Sequence, residues 1–314
     1  MESTQNLKKR IKSVVNINKI TKAMELVAAT KMRRAQEVAL ASRPYAFVSL
    51  DLLANLTLLE TELPELLKQR RIKKVLFVLV ASDKGLAGAF NSSLFRKFEQ
   101  HIKSHAEKYK NEEKFFIAVG EKSFNYLLKK GLNVVKKFVS VGDFAEPEQV
   151  HPLTDFVVAG FLEKKWDRVV IFSTHFKSAL KQEALVRRVL PVDFDHIKET
   201  VQEIVPETGK FAELIKEQNI SFVSEKNNIK EYLIEPSPAK VLENLAKHLF
   251  FMQVYYLILE ANASEHSARR MAMKTASDNA NDLGQALNLQ YNKSRQGAIT
   301  KEIIEITAGA ESLS

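Results

Sequence analysis

Cysteine is absent from the 314 residues. Disulfides, thiol nucleophiles and thiolate metal sites are therefore excluded. No window of about 18 uncharged apolar residues occurs, so no segment reads as a membrane-spanning helix. The start, Met1 to Arg10, is polar and basic with no apolar run behind it, unlike a secretory signal or a transit segment. The phosphate-binding pattern G-x-x-x-x-G-K-[ST], the dinucleotide pattern G-x-G-x-x-G and the zinc pattern H-E-x-x-H are all missing. Glycine is missing from residues 4–59, where Pro44 is the single breaker. What is present is ordinary for a packed protein: 45% apolar and 27% charged residues. The length exceeds one compact domain, so the chain is predicted to hold two domains, or one domain and an extended part.

The first segment, 1–60, reads as helix. Leu7, Ile11, Val14, Ile17, Ile20, Met24 and Val27 recur at spacings of three and four, which predicts one broad apolar stripe. Ala28, Met32, Ala35 and Ala39 continue it with smaller residues. Ser3 or Thr4 can cap the start, and Pro44 should kink or interrupt the helix. The last segment, 238–314, is the longest helical pattern. Leu245, Leu249, Met252, Tyr256, Leu259 and Ala263 step by four and three, the seam of a coiled coil. Beyond Ala263 the seam thins to small and polar residues such as Ser267, Ala276 and Ala280. Seventy helical residues would run about 105 Å, so this helix must project. Between them, 72–235 changes pattern. β-rich runs at Val75–Ala81, Phe115–Val119, Val134–Val141 and Val169–Ser173 alternate with helical stretches at Ser92–Lys108, Glu121–Lys130 and Pro152–Lys165. Ala184–Leu190 reads as a possible further strand, and 192–231 has no clear pattern. The expected fold is α/β: a long antiparallel coiled coil of the terminal helices with an inserted Rossmann-like domain built on a mainly parallel sheet.

Charge is uneven. Residues 1–43 carry ten basic and three acidic groups, whereas 239–314 carry eight of each sign. The basic segment calls for an anionic partner: nucleic acid, lipid head groups or an acidic protein surface. Aromatics for base stacking are missing from it until Tyr45, and its charges alternate with an apolar stripe, so a protein partner fits best. His101 and His105 could share a metal on one helix face, but no third ligand lies nearby, and the plainer reading is a solvated face. Asp193, Asp195 and His196 are clustered with the same limitation. The loop Ser82-Asp83-Lys84-Gly85-Leu86-Ala87-Gly88-Ala89-Phe90-Asn91 follows a strand and opens a helix, where α/β folds bind phosphates. Two glycines three apart are a weak signal, and the plainer reading is a tight strand-to-helix turn with Asn91 or Ser92 as cap.

The run Leu7-Lys8-Lys9-Arg10-Ile11 through Lys19-Ile20-Thr21-Lys22-Ala23-Met24-Glu25-Leu26-Val27-Ala28-Ala29-Thr30-Lys31-Met32 closely resembles the start of F-type ATP synthase gamma subunits of the bacterial kind. Ser42-Arg43-Pro44-Tyr45, the loop 82–91, the run from Ser264-Glu265 to Lys274, and Ile299-Thr300-Lys301-Glu302-Ile303-Ile304-Glu305-Ile306-Thr307-Ala308-Gly309-Ala310 resemble the same family. The resemblance covers nearly the whole chain. It implies a non-catalytic central-stalk rotor that couples ion-driven rotation of a c-subunit ring to ATP synthesis or hydrolysis on a hexamer of alpha and beta subunits. An epsilon subunit is a further partner. No cofactor is implied, membrane contact is indirect, and the place is the cytoplasmic side of the plasma membrane. By resemblance, Lys22, Met24, Glu265 and Arg269 couple to the beta subunits. Ile299, Ile303, Ile304 and Ile306 form an apolar bearing around the shaft tip. Tyr232, Glu235, Lys31 and Arg34 belong to the foot on the c ring and epsilon subunit. Ala87 stands where many relatives have cysteine, and the dithiol switch of the chloroplast type is excluded. Two rival readings are a basic nucleic-acid adaptor and a nucleotide-dependent α/β enzyme.

Overall fold

The computed structural model describes residues 3–41, 63–107, 109–141, 146–193 and 235–311. Ten elements follow in order: α1 (Thr4–Ala41), β1 (Lys74–Val80), α2 (Phe90–Ser104), β2 (Glu113–Val119), α3 (Glu121–Lys129), β3 (Val134–Phe138), α4 (Pro147–Leu162), β4 (Arg168–Phe176), β5 (Gln182–Leu190) and α5 (Pro238–Glu311). They divide between two compact units. One comprises Met1–Ala28 with Arg269–Ser314, and the other Ala29–Ala268. The kink expected at Pro44, the helix expected beyond Ala41 and most of 192–231 lie outside the described residues.

In the larger unit the strands form one sheet in the order β3-β2-β1-β4-β5. The first four are parallel, and β5 returns antiparallel to β4. Strand period decides what each side chain meets. Leu76, Val78 and Val80 of β1 point into one core with Val150, Leu153, Val157 and Phe161 of α4 and a long stretch of α5, Leu242 to Ala261. Val75, Phe77 and Leu79 point into the other, with Leu94 and Phe98 of α2 and Leu127 of α3. Such a sheet, covered on both faces, reads as continuous apolar runs, as these strands do.

Two sequence expectations need correcting. Helix α4 begins at Pro147, not Pro152, because Glu146 and Gln149 form a reciprocal capping box ahead of it. Pro152 sits inside that helix. Most of the coiled-coil seam read from Leu245 to Ala263 is domain core instead, although Ala263 does pack with Met32 and Ala35 of α1. From Met252 to Ala261 every α5 residue is buried, so this stretch is enclosed as part of the α/β core. A helix that is apolar all round is a core helix, and the intervening Val254, Tyr255, Leu257 and Ile258 carry that signal.

Loop residues pin the sheet's lower edge. Asp167 accepts from the backbone N–H groups of Lys73 and Lys74 at 3.0 and 3.1 Å and pairs with Arg70 at 3.0 Å. The Arg70 guanidinium lies over the Phe161 ring at 4.1 Å.

Where α4 meets α5, His151 stacks on Phe251 at 4.2 Å, and His248 lies tilted against the same Phe251 ring at 6.2 Å. Burial, and then the nearby His151, hold the His248 imidazole below its ordinary 6.5. The unfolded chain therefore binds more protons than the folded one in the window below that value. Stability is fully present above it and is lost as pH falls toward the depressed folded value. His248→Gln is expected to flatten this acid limb, read as the urea midpoint against pH. An unchanged slope would remove His248 from the account.

Candidate functional site

In the smaller unit, α1 and α5 run antiparallel. A Cβ built on Gly284 would lie 3.7 Å from Val14 Cγ1. One turn along, Asn18 donates to the Ser277 carbonyl at 2.8 Å and to Asn281 Oδ1 at 2.7 Å. In this unit the buried positions of α1 are Leu7, Thr21, Glu25 and Ala28, and half-buried Ile11, Val14 and Asn18 join them along one face. Their spacing alternates four and three, and so does that of Met273, Ser277, Ala280, Gly284 and Leu287 on α5. The broad stripe read from sequence is thus corrected. Ile17, Ile20 and Val27 are at least half exposed, while polar Thr21 and Glu25 are buried. Leu7, Ile11 and Val14 lie on the seam, but from Ile17 onward counting apolar residues leaves it, because the seam there is built from small and polar side chains.

Ten residues back along α1 from Val14 lies Thr4, and ten on from Gly284 lies Ser294. Helix α5 therefore continues past the start of α1 for Arg295–Glu311, about 25 Å at 1.5 Å per residue. From Asn288 to Ala308 none of its residues is buried. Ile299, Ile303, Ile304 and Ile306 stand on this stretch, 48 to 71% exposed. Exposed aliphatics at that density mark a surface that another chain covers.

The other expected residues fall as follows. Lys22 is exposed and pairs with buried Glu25 at 2.9 Å. Met24 is half-buried, on the same helix side as exposed Ile20 and Val27. Arg269 is half-buried at the boundary of the smaller unit, and Glu265, also half-buried, belongs to the larger one. Lys31 is half-buried and Arg34 exposed on the larger unit's part of α1. Glu235 is exposed just ahead of α5, and Tyr232 lies outside the described residues.

The loop after β1 is a self-satisfied turn. Ser82 N–H donates to Asn91 Oδ1 at 3.1 Å, Asn91 Nδ2 donates to Ser82 Oγ, and Ser82 Oγ donates to the Lys84 carbonyl, each at 2.7 Å. Asp83 is the informative member. One carboxylate oxygen accepts from Glu121 N–H at the start of α3, the other from Ser140 N–H, both at 3.0 Å. Asp83 thus places an anion of the chain itself at the N-terminus of α3, whereas the helix that the loop opens is α2.

Residues of both metal candidates have partners within the chain. His101 Nε2 is engaged by Tyr109 OH at 2.9 Å, and Asp193 pairs with Arg188 at 2.6 Å. Asp195 and His196 lie outside the described residues. Among the described residues no three His, Asp or Glu gather in a metal-holding group.

A chain with antiparallel terminal helices, an exposed aliphatic helix end and an inserted, mainly parallel sheet belongs to the class of assembly subunits, built to sit against other chains. The comparisons with known proteins make this specific. A family model described as ATP synthase matches residues 3–313. The chain is 33% identical to the ATP synthase gamma chain of Chlorobium limicola, covering 100% of this chain and 99% of that one. It is 37% identical to the gamma chain of Opitutus terrae, covering 98% of each. The rotor of the Euglena gracilis mitochondrial ATP synthase superposes with a TM-score of 0.60 at 17% identity, covering 94% of this chain and 98% of that one. The chain belongs to the ATP synthase gamma-chain family.

Proposed function

We propose that this chain is the shaft of the central stalk in an F-type ATP synthase. It turns with a ring of c subunits and an epsilon subunit inside a hexamer of alpha and beta subunits. It carries no nucleotide chemistry itself; that belongs to the hexamer. The observation that carries the reading is full-length membership of the family together with the bare aliphatic end of α5. That end is the tip bearing, with Ile299, Ile303, Ile304 and Ile306 against the hexamer's inner wall. Lys22, Met24, Glu265 and Arg269 face the beta-subunit levers. Tyr232, Glu235, Lys31 and Arg34 serve the foot. The excess positive charge of α1 complements acidic levers. The complex sits on the cytoplasmic side of the plasma membrane, which this chain touches only through the ring.

Coupling follows from asymmetry. A single shaft within a threefold housing shows each like site a different face, so shaft angle and site conformation share a contact free energy. A mixed polar surface on the shaft keeps those contacts from trapping one angle.

Purification of the chain from its host under mild detergent is expected to bring down alpha, beta and epsilon subunits in fixed ratio. Material lacking them would sink the rotor reading. Strongly salt-dependent capture of DNA or RNA instead would favour the adaptor.

A further inference from the structure

The rotor reading leaves one feature of the larger unit unused. The C-terminal half of β4 and its turn into β5 are bonded to α5 through a line of buried polar groups. Ser173 Oγ donates to the Leu257 carbonyl at 2.8 Å. His175 Nδ1 lies 3.0 and 3.1 Å from the two carboxylate oxygens of Glu260. Ser264 Oγ donates to the Thr174 carbonyl at 3.3 Å. Ser267 Oγ donates to the Ala179 carbonyl at 2.8 Å and accepts from Gln182 Nε2 at 3.3 Å. The α5 members, 257, 260, 264 and 267, step by three, four and three, so they line one face of the helix. His175, Glu260, Ser264 and Ser267 are all buried. Beside this line, Phe176 packs with Ala263 of α5 and with Met32 and Ala35 of α1.

Apolar side chains would have filled this space as well. Apolar burial is non-directional and tolerates a small slide or roll of a helix. Hydrogen bonds to fixed carbonyls and a carboxylate do not. A slip of α5 by one residue would strand a buried carboxylate and leave serine hydroxyls without acceptors, each a large penalty. Buried polar groups of this kind are best attested as devices that fix register.

We infer that the β4–β5 hairpin is a mechanical key that fixes the α/β domain on helix α5, with His175 and Glu260 at its centre, and that torque passes through it. The inference rests on the rotor reading. Loosening the key adds angular slack between the sheet domain and α5 and leaves the chemistry on the hexamer untouched. His175 and Glu260 are positioning residues, acting through α5.

The test uses the assembled complex, with the hexamer locked by a non-hydrolysable nucleotide and a bead on the c ring. The thermal angular variance of the bead reports rotor stiffness. Glu260→Ala is expected to raise it about twofold, since it removes the strongest of the cross-links, while unloaded ATP hydrolysis stays at the wild-type rate. Glu260→Gln, which can still accept from His175, restores part of the stiffness. Glu99→Gln, whose partners are Tyr126 and Lys130, leaves it unchanged. If Glu260→Ala does not assemble, Ser173→Ala and Ser267→Ala, each removing one donor, are expected to raise the variance by smaller steps. A lowered melting temperature with wild-type variance in every variant would overturn the key. A wild-type complex that does not rotate would overturn the rotor reading and the key with it.

Discussion

Replacing Gly160 with alanine is expected to destabilise the α/β domain by about 2–3 kcal/mol, a fall in melting temperature on the order of 5–10 °C. On helix propensity alone the change should help by about 1 kcal/mol, so the sign separates packing from propensity. Gly160 lies inside α4, with the indole of Trp166 against it. A Cβ there would meet Trp166 Cζ2 at 2.0 Å and Cη2 at 2.3 Å. The indole cannot simply swing away. It is buried, and its Nε1–H donates to the Val157 carbonyl at 2.9 Å. Arg70 further holds the chain around it by donating to the Phe161 carbonyl at 2.9 Å. Adding Trp166→Phe removes the atoms that the new methyl meets. The double variant should therefore be less destabilised than the sum of the two single ones. Denaturant melts of the four chains decide it. A stabilised Gly160→Ala would show that the helix can shift at no cost.

The sheet was legible because its strands are short apolar runs between helical stretches, and burial on both faces makes such runs uniform. Four of the five strands follow from that rule, and β5 only hesitantly. Its Glu183, Arg187 and Arg188 dilute the apolar signal, as happens on an edge strand. The shaft was legible in kind but not in detail. Apolar periodicity points to Ile17, Ile20 and Val27, which the fold leaves exposed. The true α1 seam contains Asn18, Thr21 and Glu25, residues that no hydrophobic count would place inside. Similarly, α5 reads as a projecting coiled coil from Leu245, yet its first third is core of the α/β domain. A single helix can serve two surroundings, and its sequence reports only the average of them. The key at His175 and Glu260 was missed because neither residue carries a motif. The available signal was Glu260, Ser264 and Ser267 at helical spacing, just where a long apolar stretch ends. The anion already seated at α3 was also invisible, since Asp83 and Glu121 are 38 residues apart.

Met24→Lys is expected to leave ATP hydrolysis by the assembled complex within about twofold of wild type while ATP-driven proton pumping falls about tenfold. Met24 shares its side of α1 with Ile20 and Val27, both more than half exposed. In the rotor reading that side sweeps past the beta-subunit levers once each turn. A thioether there is uncharged and deformable, and makes no strong preference among angles. An ammonium does. It adds to the positive charge of Lys22 and attracts an acidic lever at one angle more than at the others. A preference of only about 1.4 kcal/mol populates one angle tenfold over its rivals, and a partly desolvated ion pair supplies that readily. Turnover can continue by slipping past the trap, but slipping wastes the rotation that should drive the ring. The effect should weaken with added salt, because the attraction is between partly exposed charges. Deleting the last ten residues removes only exposed or terminal α5 positions beyond Ile304. It should reduce pumping less, since a shortened bearing loosens the tip without favouring any angle. Paired measurements of hydrolysis and proton uptake in vesicles rank the two variants. If the truncation uncouples more than Met24→Lys, the lever contact does not sit at Met24, and the aliphatic tip carries the coupling instead.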